Sequence, residues 1–167
     1  MNVSFPDVAP PFVSAPAPAA ATVNGTSYTY VLSSGNYLLS SLSLAGNSQR
    51  ILVTGDAVLY VTGNVSLAGN AYIQIASGAS LKMYVGGTTA SIGGNGVMNS
   101  NTDASHFYYY GLPSNTSVSF SGNAAFTGVL YAPSAALSLG GGGNNTYDFV
   151  GSAVANTVTM NGHYIFH

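Results

Sequence analysis

The side chains able to do acid–base, nucleophilic or metal chemistry are few enough to weigh singly. The chain of 167 residues holds 4 acidic residues, 2 basic residues, 3 His and no Cys. Asp56 and Asp103 each follow an Asn (Asn47, Asn95) by eight or nine positions. If those Asn mark equivalent turns two coils apart in a stacked β structure, the carboxylates stand about 9–10 Å apart. That approaches the spacing of an inverting glycosidase pair. No third acid, Lys, Arg or His keeps the same phase, and Asp148 follows Asn144 by only four, so both are read as turn or loop residues. His163 and His167, four apart, span roughly 13 Å on a strand, too far to converge on a metal without help. His106 abuts Phe107 and Tyr108–Tyr110 and is read as partly exposed or packed against aromatic rings. No Gly-x-Ser-x-Gly elbow occurs, and Gly140–Gly143 is not followed by Lys-Ser/Thr, so a serine nucleophile and a phosphate loop both lack support. Without Cys there is no disulfide framework and no thiolate metal site. The expectation is a chain that is not an enzyme and takes no cofactor and no metal.

Charge narrows the partners. Charged residues make up 4% of the chain, where an average soluble domain has about a quarter. Two basic residues cannot neutralise a nucleic-acid backbone or form a polybasic membrane patch. No apolar run reaches the roughly 18–20 residues of a membrane span, and no positive charge precedes an apolar stretch at Met1 as in a secretory signal. A Ser/Thr/Asn/Gly surface of this kind suits secreted wall, appendage or matrix proteins, so an extracellular or cell-surface location is expected. Sequons for N-glycosylation begin at Asn2, Asn24, Asn64, Asn115 and Asn144. Asn64, between strands, and Asn115, in a loop, are expected to be exposed, and a glycan coat would keep an uncharged surface soluble. Tyr28, Tyr30, Tyr37 and Tyr108–Tyr110 supply either a sugar-stacking platform or core packing.

The elements that position these groups are β-strands. Residues 1–22 are an arm rich in Pro and Ala, in which Pro6, Pro10, Pro11, Pro16 and Pro18 favour an extended path. Phe5, Val8, Phe12 and Val13 are too apolar for a solvated linker and mark the arm as a candidate assembly element that lies against a solenoid, its own or a neighbour's. From Val23 to His167, β-branched and aromatic residues are punctuated by Gly and Asn, and no stretch has a helical period. Ser-Leu-Ala-Gly-Asn occurs at Ser43–Asn47 and at Ser66–Asn70. Ser91–Asn95 (Ser-Ile-Gly-Gly-Asn) and Ser119–Asn123 (Ser-Phe-Ser-Gly-Asn) follow, then a stretched copy from Ser138 to Asn144 and a last one at Thr159–His163. A repeat every roughly 20–28 residues is the period of one β-solenoid coil.

In each copy two apolar residues flank a hydroxyl, as Leu42 and Leu44 flank Ser43, so the apolar pair points inward and the hydroxyl outward. Leu44, Leu67, Ile92, Phe120, Leu139 and Met160 should stack as one buried column. Ser43, Ser66, Ser91, Ser119, Ser138 and Thr159 should stack outside it. The fold class is all-β: a single-domain parallel β-solenoid of about six coils, roughly 25–30 Å tall, with its longest excursion at Asn99–Ser105.

These units resemble, together with Val58–Gly63, Leu81–Gly87, Gly128–Pro133 and Val158–Gly162, a right-handed β-solenoid domain of prokaryotic cell-surface and pilus-associated proteins. The resemblance runs from about Ser33 to the end. It implies a right-handed coil and a surface location, and it carries no catalytic residues. The function expected is a non-enzymatic extracellular structural module that self-associates as a homo-oligomer or filament. The alternative is a carbohydrate-binding adhesin that takes surface glycans, or an ice-binding face of outward hydroxyls.

Overall fold

The computed structural model describes residues 4–167 except 122, 124, 125, 142–146 and 163. The chain is all-β. In chain order the strands are β1 (Ala19–Val23), β2 (Thr26–Leu32), β3 (Gly35–Leu39), β4 (Leu42–Leu44), β5 (Arg50–Val53), β6 (Asp56–Val61), β7 (Val65–Leu67) and β8 (Tyr72–Ile75). β9 (Ser80–Val85), β10 (Thr89–Ile92), β11 (Gly96–Asn99), β12 (Phe107–Gly111), β13 (Ser117–Phe120), β14 (Phe126–Gly141), β15 (Tyr147–Gly162) and β16 (Tyr164–Phe166) complete the series. One coil contributes a strand to each of three faces. The first face is β2-β5-β8-β11, with β1 paired antiparallel at its edge. The second runs β3-β6-β9-β12 and the third β4-β7-β10-β13. β14 and β15, 16 residues each, bend around the corner and extend both. Apart from the β1–β2 hairpin, every pairing is parallel, and the chain forms a β-solenoid of about five turns.

The register is the one the repeat dictates. Ser43, Ser66, Ser91, Ser119, Ser138 and Thr159 lie opposite one another in sequence, and so do Leu44, Leu67, Ile92, Phe120, Leu139 and Met160. Five members of the apolar column are buried. Met160 is not: it is 43% exposed and its neighbour Val158 53%. The reason is positional. A residue in a coil stack is covered by the coils on both sides, and the one described strand that follows, β16, pairs only with the start of β15 at Tyr147–Phe149.

Apolar side chains at alternate positions fill the interior: Ala57, Leu81 and Phe107 in one column of the second face, and Leu59, Met83, Tyr109 and Leu130 in the next. Toward the C-terminal end the core turns aromatic. Phe126 stacks on Phe149 at 4.4 Å between ring centroids, Phe149 stacks on Phe166 at 4.7 Å, and Phe120 meets Phe126 edge-on at 4.9 Å. At the turns Gly46, Gly69 and Gly94 adopt positive φ, and the Asn that follows each is tied to its copy. Asn70 Nδ2 donates to Asn47 Oδ1 at 2.8 Å and Asn95 Nδ2 to the Asn70 carbonyl at 3.3 Å. Gly87 is required for another reason: a Cβ there would run into the backbone of Gly63 and Asn64 one coil away.

The N-terminal end is closed. Asn24 (φ 49°) and Gly25 (φ 77°) form a tight turn that folds β1 back onto β2, as an Asn-Gly pair between two strands favours. Residues 19–22 of the expected arm thus belong to a strand. Pro18 is buried, and Leu32, Leu42 and Leu44 of the first coil are at most 1% exposed.

Candidate functional site

The acids are not brought together. Asp56 opens β6 and accepts a 2.7 Å hydrogen bond from the hydroxyl of Ser80, the residue opposite it in β9. Asp103 stands off that column. It caps the 3-10 turn Ala104–His106, and its carboxylate accepts from Ser105 N at 2.8 Å. That backbone hydrogen bond, helped by the Ser105 hydroxyl and by nearby His106, holds the Asp103 carboxyl below its usual range. His106 Nδ1 lies 3.5 Å from Ser105 Oγ. His163 falls outside the described residues. His167 lies at the surface, 3.3 Å from Asp148. No group of three metal-binding side chains occurs among the described residues.

The tyrosines divide by strand phase. Tyr109 is fully buried, and Tyr30 and Tyr37 pack against the core. Burial pushes the Tyr109 phenol far above its ordinary range; its hydroxyl donates to Asn115 Oδ1 at 2.8 Å. Tyr60, Tyr84, Tyr110 and Tyr131 point the other way and form an outer column on the second face, each half-buried. Tyr84 and Tyr110 stack at 4.7 Å, and Tyr108 stacks on Tyr110 at 6.0 Å. Burial raises the phenols of Tyr84 and Tyr110, and Tyr110 is raised further by its two tyrosine neighbours.

The arm lies on this column. Leu38 N in β3 donates to the Pro16 carbonyl at 3.0 Å, Phe12 meets Tyr60 edge-on at 6.0 Å, and Phe5 meets Tyr131 at 6.4 Å. Tyr131 Oη donates to the Pro6 carbonyl at 2.8 Å. The arm therefore follows its own solenoid from the first coil to β14. Of the four expected contact residues, Phe12 and Val8 are half-buried and Phe5 is 49% exposed, whereas Val13 is 96% exposed. Val13 makes no part of the seat: it sits at a bend just past Phe12 and faces solvent.

The sequons also divide. Asn24, in the β1–β2 turn, is exposed, as is Asn64, although Asn64 Oδ1 already accepts from Thr89 N at 3.1 Å. Asn115 corrects the expectation of exposure: it is fully buried, accepts from Tyr109 and donates through Nδ2 to the Gly87 carbonyl at 2.8 Å. Its amide satisfies two polar groups that would otherwise be orphaned inside the stack, so a glycan has no room there. Asn2 and Asn144 lie outside the described residues.

Two surface features lie apart from the residues already placed. One is the last rung, where Val158, Met160, Ile165 and Phe166 are each 43–53% exposed. The other is an open groove of about 490 Å³ beyond β11, lined by Tyr72, Gln74, Asn95, Met98, Asn123 and Thr127 among others. The signal for the groove was present as a short step: β13 reaches β14 through residues 121–125, where the preceding coil spends 93–106.

The molecule is thus a parallel β-solenoid whose titratable groups are scattered over its coils. Residues 14–167 match the family described as Domain of unknown function (DUF7305), and the chain belongs to that family. No curated protein and no solved structure matches it.

Proposed function

We propose that the chain is a non-enzymatic structural module of the cell exterior that associates with a second copy of itself through its last rungs. The observation that carries this reading is the apolar end formed by Val158, Met160, Ile165 and Phe166. Beyond Gly151, the edge of β15 turned away from β14 has no strand paired to it among the described residues, so that backbone edge is available as well. Burying such side chains contributes about 1.5–3 kcal/mol each before the costs of association. The uncharged surface and the absence of clustered acids among the described residues favour a structural role over catalysis. Because β1 and the arm cover the opposite end, the favoured contact is tail to tail, an isologous pair, rather than the open filament that the bare repeat suggests.

Sedimentation of the intact chain across a concentration series tests this. A dimer that reverts to monomer in V158K/M160K, with unchanged β circular dichroism, is the expected outcome. A monomer at every concentration up to about 1 mM defeats the reading. Electron microscopy of the same samples separates pairs from filaments.

A further inference from the structure

Four parallel strands, β2, β5, β8 and β11, build the first face of the solenoid, and among the described residues none pairs with β11 on its far side. A groove of about 490 Å³ lies beside β11. Its volume falls within the roughly 300–1,000 Å³ of small-ligand sites.

Its lining is specific in kind. Tyr72 lies between two unlike neighbours in register, Arg50 on one side and Gly96 on the other. The Arg50 guanidinium lies 5.8 Å from the Tyr72 ring centroid, and Nη1 donates to Tyr72 Oη at 3.3 Å. Gly96, with no side chain, leaves the opposite side of the ring bounded by the groove. Beside it runs the outward column Leu52, Gln74, Met98. The Gln74 amide has no hydrogen-bond partner among the described residues. Asn95 spends its Nδ2 on the Asn70 carbonyl and keeps Oδ1 as an acceptor, and Thr127 adds a hydroxyl. No charged residue lines the groove.

A fixed aromatic ring surrounded by amides and a hydroxyl, with no net charge, suits one ligand class. A cation would meet no carboxylate in this lining, and the Arg50 guanidinium beside the ring is already held on the Tyr72 hydroxyl. We propose that this groove binds a neutral saccharide, one sugar ring stacked on Tyr72 and its hydroxyls held by Gln74, Asn95 and Thr127. The proposal is independent of the association through the last rung, which lies on other strands.

The test presents the intact chain with arrayed neutral oligosaccharides (gluco-, manno- and galacto-series), uronate and sialylated oligosaccharides, and unstructured decapeptides. At least one neutral oligosaccharide should bind. Y72A should weaken it at least tenfold and Q74A severalfold. Y72F keeps the ring and should stay within about threefold, and Y108A, on another face, should change nothing. If Y72A loses its β circular dichroism, Q74A carries the decision. Three results would each overturn the proposal: no neutral oligosaccharide bound at millimolar concentration; a preference for the anionic set, or for peptides added along β11; or equal binding by Q74A and the folded Y72A.

Discussion

The two ends of the coil stack grow from one repeat and finish in opposite states. At the N-terminal end Leu42 and Leu44 are as buried as any residue in the middle, and β1 turns back antiparallel on β2 while Pro16 accepts from β3. At the C-terminal end the equivalent pair, Val158 and Met160, is about half exposed. Burial in a solenoid is therefore not a property of the repeat unit. It is supplied by the neighbouring coil or by a dedicated cap, and identical patterns read as core or surface according to their rank in the stack.

The sharpest way to break this comparison is to open the closed end. Deleting residues 1–23 removes β1 and uncovers the outer edges of β2 and β3. The thermal midpoint should fall by ten degrees or more, and end-to-end aggregation should appear in light scattering. An unchanged midpoint would show that the first coil is stable uncovered.

Next in size, one substitution can be placed at two ranks of the same column. L67A, between two coils, should cost about 2–5 kcal/mol, since it leaves a cavity in packed surroundings. M160A should cost less than about 1 kcal/mol in dilute protein. Urea unfolding measures both, and equal losses would mean that the last rung is covered in solution.

The interior is also held by polar groups the end lacks. N115A strands the Tyr109 hydroxyl and the Gly87 carbonyl, at about 1–3 kcal/mol for each buried group left unpaired. Adding Y109F to N115A should recover part of the loss, which a double-mutant cycle in urea would read.

The smallest effect is on pH. The folded-state phenol of Tyr109 is raised above its unfolded value near 10, with Tyr84 and Tyr110 raised in the same direction. The folded chain then binds more protons than the unfolded one above that value, so this stability is complete below about pH 10 and lost as pH rises further. On the acid side the lowered carboxyl of Asp103 is fully exposed. The unfolding midpoint should be nearly flat between about pH 4 and 9 and fall above 10. A transition near pH 5 would contradict this assignment.

Much of this architecture is legible in the residues, for a physical reason. A parallel stack places each residue over its copy, so the spacing of Ser43, Ser66, Ser91, Ser119 and Ser138 reports the register directly. The excursion after Asn99 is legible for the same reason. What the repeat hides is whatever departs from it. The β1–β2 hairpin had its signal in Asn24-Gly25, but it lies before the first copy. Asn115 has the composition of a loop residue, and only the coil folding over it buries its amide. Met160 matches its column in type and differs only in having no described strand paired beyond it, since β16 reaches only Tyr147–Phe149. The groove beside β11 is lined by residues of three different coils, and its only trace in the sequence is the short step between β13 and β14.

The equal spacing of the coils also sets the order in which the chain is built. Each rung closes a loop of about two dozen residues onto the one before, so every step costs nearly the same chain entropy and gains one layer of contacts. Growth needs a finished edge to add to, and the hairpin-capped N-terminal coil is the natural starting layer. Amide protons should then exchange along a gradient, slowest among β5 to β12 and fastest in β15 and β16, and the last coil should unzip before the rest of the stack responds.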